Sequence, residues 1–182
     1  MTPEMIAACT GARIDRAQRF AAELSAGMAL YGIDRPARQA AFLSQIGHES
    51  GGLKYTSELW GPTPAQSRYE GRADLGNTQP GDGSRFRGHG LIQTTGRANH
   101  ARVTFRLRER FGDEVPDFEA TPEALSEPRW AALSACDFWD DKGLNALADA
   151  GKFETITRRI NGGLNGQDDR LARYAIAQKA LA

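Results

Sequence analysis

Glu49 stands where a folding argument alone would not put a carboxylate. With Phe42 and Ile46 it falls at i, i+4 and i+7 of one helix, on the apolar stripe and at the end that disfavours negative charge. Partial burial and the negative end of the helix dipole both favour the protonated form. A carboxylic acid kept protonated is able to donate a proton as a general acid; the plain alternative is a Glu near a frayed helix end that swings into water. Beside it lie His48 and Ser50, and two further clusters stand out: the run from Phe86 to Asn99, and Ile160-Asn161-Gly162-Gly163. Each sits at a helix end or next to glycines, where a ligand can approach backbone closely. The same Gln, Thr and Asn residues also read as helix caps. The three histidines make no His-Glu-x-x-His pattern, and Ser50 and Ser84 sit in no Gly-x-Ser-x-Gly elbow, which argues against zinc and serine hydrolase chemistry. The expected reaction needs neither metal nor organic cofactor.

The elements that must position these residues are helices. Thr10 reads as the N-cap of a helix through Arg19, Phe20, Leu24 and Met28 that ends near Gly32. A second helix over 34–50 starts at Asp34 as N-cap, has Pro36 in its first turn, and stops at Gly51-Gly52. Periodicity returns over 97–111 and 128–140, where Trp130, Leu133, Cys136 and Phe138 mark a broad apolar face, then over 144–150, 153–160 and 168–181. Between them, residues 61–90 form a long irregular loop of Gly, Pro, Arg, Asp and Asn, anchored by Tyr69, Leu75 and Phe86. A short hairpin fits around 86–93. The expected fold is mainly α, a helical domain able to form two lobes around a cleft, with one long irregular loop.

At 182 residues the chain suits one domain, 1–182, and no second module is required. Its formal net charge is zero, yet residues 61–110 carry nine Arg against four acids and 111–154 eleven acids against three bases. Arginines paired with the acidic segment account for this as well as a polyanion or sugar surface does, and no nucleic-acid motif accompanies them. Cys9 and Cys136 read as free buried thiols. No run of 18 apolar residues suggests a membrane span, and the N-terminus has no secretion pattern, so the expected location is the cytoplasm and the expected state a monomer.

Taken together, the His-Glu-Ser-Gly-Gly helix end, the run Gly-x-Gly-Leu-Ile-Gln-x-Thr-Gly-Arg-x-Asn and the late Ile-Asn-Gly-Gly resemble glycoside hydrolase family 19, the chitinase-like family, in its phage endolysin branch. The resemblance covers about residues 38–175 and implies a lysozyme-like helical domain, here with no separate wall-binding module. It implies that Glu49 is the general acid and that a second carboxylate activates water in an inverting displacement, with the two carboxyls ~6.5–9.5 Å apart. Glu58 is the candidate, and Glu70 the reserve. The resemblance further implies that Thr95 holds the attacking water, and that His48, Gln93, Asn99 and Asn161 bind sugar or support the pair. Arg170, or alternatively Arg173, matches a basic residue near the second carboxylate. His89 replaces the Arg more usual between the two glycines. The implied substrate is the β-1,4-linked glycan of bacterial peptidoglycan, cut by an endolysin held in the host cytoplasm until release to the wall. A chitinase and a non-catalytic sugar binder are the alternatives.

Overall fold

Short helices joined at glycines account for most of the chain. The computed structural model describes residues 1–182, of which 64% are helical, and its only β pairing is two isolated antiparallel bridges, Ser57 with His89 and His89 with Thr94. The fold is mainly α and lysozyme-like, as expected. The chain forms two compact units, one built from residues 1–54 and 135–182, the other from 55–134.

The first unit opens with a helix the sequence reading missed, α1 (Pro3–Thr10). Thr2 caps it by accepting from the Met5 amide, Pro3 occupies the first turn, and Gly11 in the left-handed region ends it. Thr10 is therefore a buried last-turn residue, not an N-cap: its hydroxyl donates to the Ile6 carbonyl at 2.7 Å. The next helix, α2 (Ile14–Leu30), starts from Arg13 instead. Likewise α3 (Pro36–Glu49) takes Arg35, not Asp34, as its N-cap position. The residue before a proline is forced into extended backbone, so the last non-helical residue is the one touching Pro36.

Phe42, Leu43 and Ile46 bury one side of α3, and Phe42 meets Trp139 edge-on at 5.4 Å. Trp139 lies in α7 (Pro128–Asp141), whose chain passes from the second unit to the first between Ser134 and Ala135. The first unit is completed by α8 (Leu144–Asp149), α9 (Phe153–Asn161) and α10 (Gln167–Ala180), and α3 packs against α1, α8 and α10. The close approach to α1 requires Gly47, where a β carbon would stand 2.5 Å from the Thr10 carbonyl oxygen.

The second unit holds the irregular segment, interrupted by α4 (Pro64–Ser67) and α5 (Asp82–Arg85), and then α6 (Arg97–Phe111). Its apolar centre is Phe86, Leu91, Leu107, Val115, Phe118, Leu125 and Trp130. Arg97 pins the segment down: its guanidinium binds Asp82 at 2.5 and 3.0 Å and Glu119 at 2.9 Å, and lies over the Phe86 ring. Arg85 donates to the carbonyls of Glu119 and Ala120. Part of the segregated charge is thus spent on joining the Arg-rich segment to the acidic one. The hairpin expected around 86–93 reduces to one closed turn, with His89 and Thr94 exchanging both backbone hydrogen bonds.

Candidate active site

Glu49 is the last residue of α3, and the helix stops there because Gly51 and Gly52 both take positive φ. Ser50 seals the end as a buried structural hydroxyl, donating to the Ile46 carbonyl and accepting from the Leu53 amide. Phe42 and Ile46 are buried, so the shared face is as the periodicity indicates. The immediate partner of Glu49 is not hydrocarbon, however. Arg170 of α10 donates from Nη2 to Glu49 Oε1 at 2.5 Å. The apolar setting expected for this carboxyl is thus corrected to an ion pair with a buried guanidinium. That guanidinium also donates from Nη1 to Gln45 Oε1 and from Nε to the Asn165 carbonyl.

Arg170 was expected beside the second carboxylate; it binds the first. Arg173, the alternative, serves neither, since it donates to Asp169 at 2.7 Å and to the Thr10 carbonyl at 2.6 Å. Asp169 in turn stands 2.7 Å from His48 Nδ1. Burial would raise the Asp169 carboxyl, but Arg173 and His48 outweigh it and hold the group below its ordinary range. Because the carboxylate accepts, His48 donates from Nδ1 and keeps Nε2 as its second site. Asn161 closes α9 before Gly162 and reaches the Asn165 carbonyl at 3.5 Å, so it braces the segment to which Arg170 is hooked.

In the second unit the Glu58 side chain is held from several sides. The Gly88 amide donates to Oε2 and the Gln66 side chain to Oε1, each at 3.0 Å, and Tyr69 adds its hydroxyl. The Glu58 amide returns a bond to the Gly88 carbonyl at 2.7 Å. Burial first, and then the charge and hydrogen bond of Glu58, raise the Tyr69 phenol, which keeps it a donor. Gln66 was missed by the sequence reading, although Thr63-x-x-Gln66 has the spacing of a capping box. Its oxygen caps α4 at the Thr63 amide, which turns its nitrogen toward Glu58 and the Leu59 carbonyl.

Gln93 lies against the same turn. A β carbon at Gly88 would stand 2.6 Å from Gln93 Oε1, so the glycine makes room for this side chain. The Gln93 amide nitrogen donates to the carbonyls of Gly90 and Tyr55, and its backbone holds φ +54°, a conformation that costs a non-glycine residue energy. Thr95 donates to the Gln93 carbonyl at 3.0 Å, which leaves its hydroxyl lone pairs to accept. Asn99 is exposed and donates to the Thr95 carbonyl. Glu70, the reserve base, spends both oxygens on the amides of Gly81 and Gly83, which gives it a loop-fastening role.

His89 is buried and faces His100, Nδ1 to Nε2 at 3.1 Å. His100 Nδ1 meets the Gly96 carbonyl at 2.9 Å and must be its protonated nitrogen, so His89 donates to His100 and both rings are neutral. No group of three His, Cys, Asp or Glu side chains is placed to hold a metal ion.

No family model matches the chain. A protein of Haemophilus influenzae described as a glycosyl hydrolase family 19 domain-containing protein is 34% identical over 165 residues, covering 75% of this chain and 76% of that protein. The chain belongs to glycosyl hydrolase family 19. The residues singled out as candidates from the sequence divide between the two units. The helix-end acid, His48, Asn161 and Arg170 lie in the first, and Glu58, Gln93, Thr95 and Asn99 in the second. Beyond these residues, Gln45, Thr157, Gln66 and Tyr69 complete the hydrogen bonding around the two carboxyl groups of this family 19 protein.

Proposed function

We propose that this family 19 protein is an endolysin-type glycosidase that hydrolyses β-1,4 aminosugar linkages of bacterial peptidoglycan by inverting general acid/base chemistry. The observation that carries this reading is that the helix-end Glu49 and the loop Glu58 are each fixed by partners within their own unit. Glu49 has a single cationic partner on one oxygen, whereas Glu58 is gripped on both oxygens by neutral donors. Arg170, fixed on Oε1, stabilises the charge left on Glu49 when a proton leaves it.

In the proposed reaction Glu49 passes a proton to the leaving glycosidic oxygen as the C–O bond breaks. Glu58 takes a proton from a water that attacks the opposite face of the oxocarbenium-like sugar. Thr95 accepts a hydrogen bond from that water, since its own hydrogen is directed at Gln93. The amides of Gln93 and Asn161 and the free ring nitrogen of His48 supply contacts to sugar hydroxyls and N-acetyl groups. The protein is proposed to work as a monomer, released from the host cytoplasm to the cell wall.

The test is turbidity loss of outer-membrane-permeabilised Gram-negative cells, followed by mass spectrometry of the fragments. Wild type should clear the cells and create new reducing ends, and Glu49→Gln and Glu58→Gln should each abolish clearing while remaining folded. Clearing that survives Glu49→Gln would overturn the mechanism. Cleavage of chitin oligomers without cell clearing would replace the substrate.

A further inference from the structure

Three buried polar side chains from three helices are joined to the candidate acid in one line. Thr157 of α9, Gln45 of α3 and Arg170 of α10 are each at most 1% exposed. The Thr157 hydroxyl is directed at the Phe153 carbonyl, so its lone pair accepts from Gln45 Nε2 at 2.9 Å. The donor-only Arg170 guanidinium decides which way the Gln45 amide faces, and the Thr157 hydroxyl takes up its nitrogen. With its nitrogen committed to Thr157, its oxygen points at Arg170 Nη1, whereas the flipped amide would set donor against donor. Arg170 is then held at Nη1 by Gln45, at Nε by Asn165, and presents Nη2 to Glu49.

We propose that Gln45 and Thr157 are positioning residues for the acid step, fixing through the amide orientation of Gln45 the guanidinium that receives the charge formed on Glu49. The proposal rests on the glycosidase reading above. Its physical content is preorganisation: a guanidinium already in place meets the charge left on Glu49 by proton transfer without having to reorganise. A residue that served only to fill the core would affect folding and leave that transfer alone.

The experiment compares wild type with Thr157→Val, which has the same shape but no acceptor, and Thr157→Ser, which restores the hydroxyl. Each is examined by thermal melting, by steady-state kinetics on peptidoglycan glycan fragments, and by NMR of the Arg170 Nε–H and the Glu49 carboxyl carbon. The expected result is a folded Thr157→Val with kcat lowered about tenfold and KM within about twofold. Its Arg170 signal loses protection from exchange, and Thr157→Ser recovers both properties. Wild-type kcat in Thr157→Val, or a change confined to KM, overturns the proposal. If wild type cuts none of the glycans, the functional reading falls separately. The Glu49 carbon then decides the coupling: a shift in Thr157→Val that Thr157→Ser reverses upholds it, and an unchanged signal overturns it.

Discussion

Arg170 and Glu49 are unequal partners: the guanidinium side chain is 2% exposed and the carboxylate 19%. The cation is the member removed from water, and it is held in place by three acceptors on two segments, Glu49 and Gln45 of α3 and the Asn165 carbonyl. Only a planar fork meets all three at once.

Arg170→Lys therefore tests geometry at constant charge. An ammonium reaches one of the three acceptors and leaves the fully buried Gln45 oxygen short of a donor. The substitution is expected to lower stability by about 1–3 kcal/mol, the usual cost of an unsatisfied buried polar group. Glycan cleavage should fall at least about tenfold, as positioned charge is lost. Denaturant unfolding and initial rates measure the two effects, and wild-type behaviour in both would show that charge alone suffices.

Glu58→Gln has a different structural consequence. Gly88, Gln66 and Tyr69 all donate toward this side chain, and a carboxylate only accepts. The amide offers one oxygen and one NH2 group, so at least one donor meets a donor. A loss of about 1–2 kcal/mol is expected together with abolished hydrolysis. Glu70→Gln should instead weaken the 81–83 turn, where the carboxylate receives two backbone amides, while cleavage continues. Abolished cleavage in a folded Glu70→Gln would return that residue to the role of base.

The site was legible where one element carries the information. Glu49 at a helix end and the run from Gly88 to Asn99 follow from local pattern, and so do the later helices, because apolar periodicity and glycine stops are properties of short segments. The partner of Glu49 was not legible. Arg170 is 121 residues away in sequence, and only the packing of α10 on α3 brings the two together. Thr10 was misread because threonine suits either end of a helix, and the better start signal, Thr2 followed by Pro3 and Glu4, lay outside the pattern being followed. Gln45 passed for an ordinary polar position, since nothing local reveals that α9 will cover it with Thr157.

Gly47→Ala sets helix propensity against packing. Alanine in mid-helix gains about 1 kcal/mol over glycine. Here the added carbon would lie 2.5 Å from the Thr10 carbonyl oxygen and 2.9 Å from its α carbon, and a backbone obstacle cannot swing aside. The overlap should cost about 2–3 kcal/mol, so the variant is expected to melt several degrees below wild type. A melting point at or above that of wild type would mean that α1 yields without cost.

The histidine pair predicts how stability depends on pH. Burial chiefly, and for His89 also the nearby His100 and Arg87 charges, lowers His89 to about 3 and His100 to about 4 from an ordinary 6.5. Both are neutral in the folded protein at pH 5, whereas the unfolded chain binds protons there. Stability is therefore fully present above about pH 6.5 and declines as pH falls below it. The decline levels off only when the folded groups themselves titrate near pH 4 and 3. The carboxyl of Asp82, held below 3.8 chiefly by Arg97, adds its loss at still lower pH, so the window from pH 6.5 to 4.5 reports the histidines. Unfolding by urea across that window should show a fall of a few kcal/mol, about 1.4 kcal/mol per unit for each group. His100→Phe removes one titrating ring, and its new ring would face Phe86 as the imidazole does. The variant should be less stable at pH 7, having lost the bonds to Gly96 and His89, yet have a flatter slope. An unchanged slope would mean that the pair does not set the acid limit of this fold.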